Sequence, residues 1–452
     1  MTKQQRLVLT ISILASFVAF LDGSVVNVAL PAISRELGGG LTVQQWVVDA
    51  YLISLGALIL IAGSLSDLIG RKKVLFAGLT GFAVTSLLCA IAPNALFLII
   101  SRGLQGVAGA LLVPSSLALI MSAFSGSSGG KAIGTWTAWT AMAFLFGPLL
   151  GGFMVDSLSW RLIFAINLLP IAVTLWLMRF LHLPEQIRGN AKIDLWGALL
   201  CVVGLGAPVF ALIEQPHYGW ASPSIYLPLV LGLVAFMVFL WHEKWTTNPM
   251  LPLRLFSVRN FWVGNIATTF IYAGLSVATF LIAIFVQQVG GYSALAAGLA
   301  LLPVTLIMFV LSPRFGALAD KHGPRFFMAA GPLVAGTGFF LLLRIDRSVT
   351  YWSQIFPGVA LFGIGLSMTV APLTVAILEA IDRQQAGIAS AVNNAVARIA
   401  GLVAISCIAV VTGTHLSLES FHKGIALTAV LLFFGGIISG LGIRNNKKLA
   451  AK

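Results

Sequence analysis

Two aspartates and two arginines stand inside stretches of this chain that are otherwise apolar: Asp22, Asp49, Arg102 and Arg398. An ionised side chain at the centre of a bilayer costs about 2.5–3.5 kcal/mol even on a lenient insertion scale, so it persists where it is paired or does work. Burial favours the neutral form of a carboxyl, whereas an adjacent guanidinium favours the charged one. A carboxyl that exchanges an arginine for water between conformations therefore changes its protonation with state. Asp22 is the first candidate for a proton carrier, with Asp49 and Arg102 as its candidate partners. The alternative is a static ion pair that orders a helix bundle.

The elements that must hold these residues are set by composition. The chain has 452 residues, 59% hydrophobic and 9% charged, with a mean hydropathy of +0.99. A soluble domain carries about 25% charged residues. The net charge of +13 would suggest nucleic acid in a soluble protein, but the basic residues are scattered through short loops, so membrane topology is the better cause and no nucleic-acid partner is expected. Cys89, Cys201 and Cys407 all fall in apolar stretches and read as small core residues. The His residues are scattered near loops, and neither metal spacing, nucleophile elbow nor phosphate loop occurs in the apolar segments, so no metal, cofactor or enzyme chemistry is expected.

A helix needs about 20 mostly apolar residues to cross the hydrocarbon. Fourteen windows qualify, from 7–30 through a sixth near 161–181 to 425–443, giving an all-α polytopic fold with both termini on one side. The opening MTKQQR and its long apolar run read as a retained first span. With the N-terminus in the cytoplasm, twenty of the 27 Lys and Arg residues face the cytoplasm, five lie in outer loops and two are embedded. That bias places both termini in the cytoplasm.

The segments GSLSDLIGRKK after the second span and GALADKHGPR after the tenth align Gly63, Asp67 and Gly70 with Gly316, Asp320 and Gly323 at one offset of 253 residues. Matched spacing on one membrane face indicates two related halves, an architecture that holds substrate between them. The expected domains are a six-helix half over 1–182, an inserted helix pair over 183–258 and a second six-helix half over 259–452. Each loop is a candidate conformational latch, with Arg71 in the first copy replaced by Pro324 in the second. The same offset maps Asp22, Asp49 and Arg102 onto Leu275, Leu302 and Ile355, which assigns proton coupling to the first half.

These loops resemble the motif shared across the major facilitator superfamily. FLDGSVVNVALP (Phe20 to Pro31), SRGLQGVAGALLVP (Ser101 to Pro114), FGPLLGG (Phe146 to Gly152), WRLIFAINLLP (Trp160 to Pro170) and GIASAVNNAVARIAG (Gly387 to Gly401) are similar to elements of its fourteen-span drug:proton antiporter branch. The resemblance covers nearly the whole chain. It implies two six-helix halves plus an inserted pair, and proton-coupled multidrug efflux by alternating access across the bacterial cytoplasmic membrane. Gly147, Pro148, Gly151 and Gly152 would form the antiporter motif that seals the outer side, or else ordinary packing glycines. Ala143 stands where the motif often has Gly, and Ser24 where Thr is usual.

By a rise of 1.5 Å per residue, Asp22 lies about 22 Å along the first span, Asp49 about 6 Å and Arg102 about 9 Å below the outer boundary. At that shallow depth Asp49 is either a partner or simply solvated. Arg398 lies about 18 Å into the thirteenth span, with Asn393 and Asn394 a turn earlier; they either line a substrate cavity or join helices. Arg398 would suit an anionic or zwitterionic compound. Trp136, Trp139, Tyr272 and Met368 are further cavity candidates that serve equally as packing. The expected partners are a small amphipathic compound and the bilayer, with the chain as a monomer. The competing readings are a carrier of one metabolite and a membrane sensor without turnover.

Overall fold

A backbone in hydrocarbon has no water to bond, so an apolar segment satisfies its own N–H and C=O groups by becoming a helix. The computed structural model describes residues 1–124, 126–182, 193–346, 348–381, 385–413 and 416–445, and among these there is no strand. The first half contains α1 (Lys3–Leu37), α2 (Gly40–Ile69), α3 (Arg71–Ala90), α4 (Ala95–Ala123) and α5 (Gly126–Ser157). It continues through the short α6 (Leu162–Ala165) and α7 (Leu168–Met178) to α8 (Leu195–Tyr218) and α9 (Pro223–Trp245). Then follow α10 (Arg259–Gln288), α11 (Ala294–His322), α12 (Pro324–Leu342), α13 (Phe356–Leu378), α14 (Ala386–Ser406), α15 (Ile408–Thr412) and α16 (Leu418–Gly442).

Polar residues start several of these helices by capping exposed amides. Thr2 and Gln5 form a reciprocal capping box on α1, and Asn94 accepts from Phe97 N at the head of α4. Pro31, Pro114, Pro148, Pro303 and Pro372 lie inside helices without ending them. Thirteen helices among the described residues are long and apolar enough to span a membrane, and the chain is a multi-pass integral membrane protein. The sixth expected window differs: it is interrupted at Ile166 and Asn167, leaving only the shorter apolar run Leu162–Met178.

The chain forms two compact units, one of Met1–Ala211 with Ala221–Leu251 and one of Leu212–Trp220 with Pro252–Lys452. Most of α8 and all of α9 therefore group with the first six spans. Within unit 1, α1 packs on α4 and α5, and α4 packs on α2 and α3. Val8, Ile11, Ala15, Leu79, Phe82 and Leu112 belong to its core. Unit 2 repeats the pattern, with α10 on α14, and α13 on α11 and α12.

The repeat extends to the loops. Gly70 and Gly323 have φ values of 101° and 88°, in a region that glycine enters without steric cost. Two residues after each glycine, a cation reaches a main-chain oxygen near a helix C-terminus: Lys72 Nζ donates to Leu181 O just past α7 and Arg325 Nε to Gly440 O in the last turn of α16, both at 2.7 Å. Lys72 and Arg325 are themselves related by the same offset of 253. Gly63 has open space where a Cβ would stand, so close helix approach is not what calls for glycine there. Gly316 faces only Ala371, Asp320 is exposed, and the side chain of Asp67 lies outside the described residues.

Candidate functional site

Asp22 lies a little past the middle of α1, buried beside Leu21. Its carboxylate collects donors from two residues of α4 and from the break between α6 and α7. Arg102 Nη1 of α4 donates to Oδ2 at 2.6 Å. Gln105 Nε2, one turn further along α4, donates to Oδ1 at 3.0 Å. Asn167 Nδ2 donates to the same oxygen at 3.0 Å. Hydrogen bonds to a charged group contribute about 1.5–3 kcal/mol each, which offsets the cost of burying the pair.

Arg102 is held independently of Asp22. Its Nε donates to Val47 O of α2 at 3.0 Å, and Nη1 also donates to Gln105 Oε1 at 2.6 Å. The guanidinium lies 4.3 Å over the Tyr51 ring and 5.7 Å from that of Phe164, contacts that favour a desolvated cation. Ser86 Oγ of α3 accepts from Gln105 at 2.9 Å and from Asn167 at 3.4 Å. Both members of the ion pair are essentially inaccessible, at 0% and 1% exposure.

The fifth span fixes the segment just after Asp22. Ser24 Oγ donates to Ala143 O at 3.0 Å and to Leu21 O at 2.9 Å. A Cβ added to Gly147 would collide with Ser24 Oγ, and one added to Gly151 would lie 2.5 Å from Val25 Cγ2. The glycines let α5 lie against the turn of α1 that carries the carboxylate, while Pro148 and Gly152 continue the same helix. Overpacking of this kind costs about 1–3 kcal/mol. Gly147→Val is therefore expected to lower the melting temperature in detergent and to weaken transport per folded molecule. A variant with wild-type melting and transport would show that α5 does not set the position of Ser24.

The structure brings Asp22 and Arg102 together and leaves Asp49 outside their network. Asp49 is fully buried, and neither carboxylate oxygen has a hydrogen-bond partner among the described residues. The carboxylate is thus enclosed by protein in this structure. Gln105, Asn167 and Ser86 carry no sign of their role in the sequence beyond being polar residues in apolar runs. Gln105 shares a helix face with Arg102 by its spacing of three, and Asn167 lies inside WRLIFAINLLP.

The remaining candidates divide. Trp136 Nε1 donates to Ser16 Oγ at 3.0 Å and Ser12 O at 3.3 Å, so it joins α5 to α1. Trp139 is exposed. In unit 2, Asn393 Nδ2 of α14 donates to Thr268 Oγ1 at 2.8 Å and Asn265 Oδ1 at 3.2 Å on α10. Asn394 is exposed and bonds Ser390 O of its own helix. Arg398 and Tyr272 are half-buried and within electrostatic reach of each other across α14 and α10. Met368 of α13 lies against Gly331 of α12. No group of three or more His, Cys, Asp or Glu side chains among the described residues is arranged to hold a metal.

The sequence profile of the Major Facilitator Superfamily matches residues 12–405. The chain belongs to that superfamily. It is 33% identical over 423 residues to multidrug resistance protein Stp of Mycobacterium tuberculosis, covering 92% of this chain and 78% of that one. Methylenomycin A resistance protein of Streptomyces coelicolor is 32% identical over 426 residues, or 94% and 88% of the two chains. Multidrug transporter protein MdtP of Bacillus subtilis is 32% identical over 410 residues, or 90% and 75%. A crystal structure of a D-xylose–proton symporter superposes with a TM-score of 0.69 at 16% identity, over 97% and 98% of the chains, which shows a shared fold. This superfamily member is a secondary transporter rather than an enzyme, and its relatives agree with the drug:proton antiporter branch.

Proposed function

We propose that this transporter exports small amphipathic compounds in exchange for protons by alternating access, with Asp22 as the proton carrier. The observation that supports this most is the buried Asp22–Arg102 pair at 2.6 Å, which is fully bonded and yet confined to one half of a repeated fold. A purely architectural pair would be expected in both halves, and the mapped positions are Leu275 and Ile355. The resistance and multidrug relatives supply the direction and the substrate class. Asp49, buried without a hydrogen-bond partner among the described residues, is proposed as a second proton-binding carboxyl. The reading also includes fourteen spans with the interrupted sixth counted, cytoplasmic termini, residence as a monomer in a bacterial cytoplasmic membrane, and protons as the coupling ion without a further cofactor.

Purified protein in liposomes tests this reading. A panel of cationic and zwitterionic dyes should move in response to an imposed pH gradient, and a protonophore should abolish the movement. Flux of a single metabolite with no dye transport would favour the narrow carrier, a reading to which the embedded Arg398 gives some support. An absence of any flux would favour a sensor.

A further inference from the structure

The sixth span breaks at the residue that bonds Asp22. Ile166 and Asn167 keep helical dihedral angles, but the ladder tightens: Phe164 N bonds Arg161 O and Asn167 N bonds Phe164 O, three residues back. Such a tightened stretch within a span often marks a hinge. Asn167 is fully buried, and while its Nδ2 serves Asp22 and Ser86, its Oδ1 has no hydrogen-bond partner among the described residues. A buried orphan acceptor is uncommon and costly, so it calls for a cause.

The cause lies in what Asp22 needs in its two protonation states. An ionised carboxylate only accepts, so the amide must turn its NH2 toward it. A protonated carboxyl has an O–H that needs an acceptor. Rotation of the Asn167 amide about its Cβ–Cγ bond exchanges Nδ2 for Oδ1 and supplies that acceptor. Gln105 cannot make the same exchange, because its Oε1 already accepts from Arg102. The charged and titratable groups around Asp22 are Arg102 from α4, Cys89 from α3 and Tyr51 from α2. The contacts from α5, α6 and the break itself are neutral, through Ala143 beside Ser24, Phe164 and Asn167.

We propose that Asn167 is a positioning residue that reads the protonation state of Asp22, donating to the carboxylate and accepting from the acid, and passes that state to the hinge of the sixth span. Hydronium gives up the proton, leaving water, as an O–H bond forms on Asp22. The inference rests on Asp22 being the proton carrier.

The test uses full-length protein in liposomes and reads the pH at which gradient-driven dye efflux is half-maximal. Asn167→Ala and Asn167→Leu each remove the donor to the carboxylate, so the proton is held to higher pH. Both also remove the acceptor for the acid, but the bond lost to the charged form is the stronger, so the midpoint is expected to move upward by about one unit. Dye KM well above the midpoint should stay within about twofold, because this residue is not assigned a substrate contact. The Leu variant nearly preserves volume, so whichever variant accumulates in the membrane decides the matter. A wild-type pH profile, or a shift with Ala but none with Leu, overturns the role of Asn167. If Asp22→Asn itself keeps gradient-driven efflux, the carrier reading falls instead, and the two failures are thereby told apart.

Discussion

Asp22→Asn is expected to abolish efflux driven by a pH gradient while leaving the protein folded in the membrane. The substitution keeps the size and one acceptor oxygen, so Gln105 Nε2 and Asn167 Nδ2, each at 3.0 Å, retain a partner. It removes the only proton-binding group of the network that carries negative charge. Arg102 is left without its counter-ion but keeps Val47 O, Gln105 Oε1 and the Tyr51 ring. The new amide places an N–H against Arg102 Nη1, so membrane abundance should fall, though less than for Arg102→Ala, whereas gradient-driven dye efflux per molecule should drop to the rate without a gradient. Downhill exchange of dye should persist and lose its pH dependence. Unchanged gradient-driven transport by this variant, measured beside its abundance, would refute Asp22 as the carrier.

Arg102→Ala should do more damage. Removing one member of a buried ion pair leaves the other uncompensated, at a cost of about 3–5 kcal/mol. Here it also takes one donor each from Val47 O and Gln105 Oε1. We expect a marked fall in membrane abundance and no coupling in what remains. The sign with pH follows from the charge left behind: the destabilisation is largest where Asp22 is ionised and eases as pH falls and the carboxyl takes up a proton. Unfolding in detergent across a pH series would show this. Arg102→Lys restores charge but not the forked geometry that serves α1, α2 and Gln105 together, so it should recover stability better than coupling. If the surviving Arg102→Ala protein transports normally per molecule, the arginine is structural.

Much of the fold was legible because bilayer thickness and hydrophobicity leave a segment few choices. The repeat could be read from Gly63, Asp67 and Gly70 against Gly316, Asp320 and Gly323, and its physical meaning, Lys72 and Arg325 gripping corresponding helix ends, required three dimensions. The sixth span looked continuous because hydropathy does not sense a change in hydrogen-bond spacing. Asp49 seemed shallow because the apolar window began at Gln45; α2 begins at Gly40, which places the carboxylate about 14 Å along the helix. Asp22 and Arg102 announced themselves by charge. Their supports were hidden because Gln105, Asn167 and Ser86 are neutral and, in sequence, indistinguishable from residues that join helices. Asn393 shows the converse: its bonds to Asn265 and Thr268 make it a link between α10 and α14.

The two partners of the central ion pair are fastened unequally. The guanidinium has a main-chain oxygen, an amide oxygen and aromatic faces at its disposal, none of which belongs to α1. Separation of the pair would consequently leave the cation solvated by its own surroundings, so the larger adjustment falls to the acid. The acid keeps only the neutral amides of Gln105 and Asn167, which are weaker stand-ins for a cation than the guanidinium's own partners are for an anion.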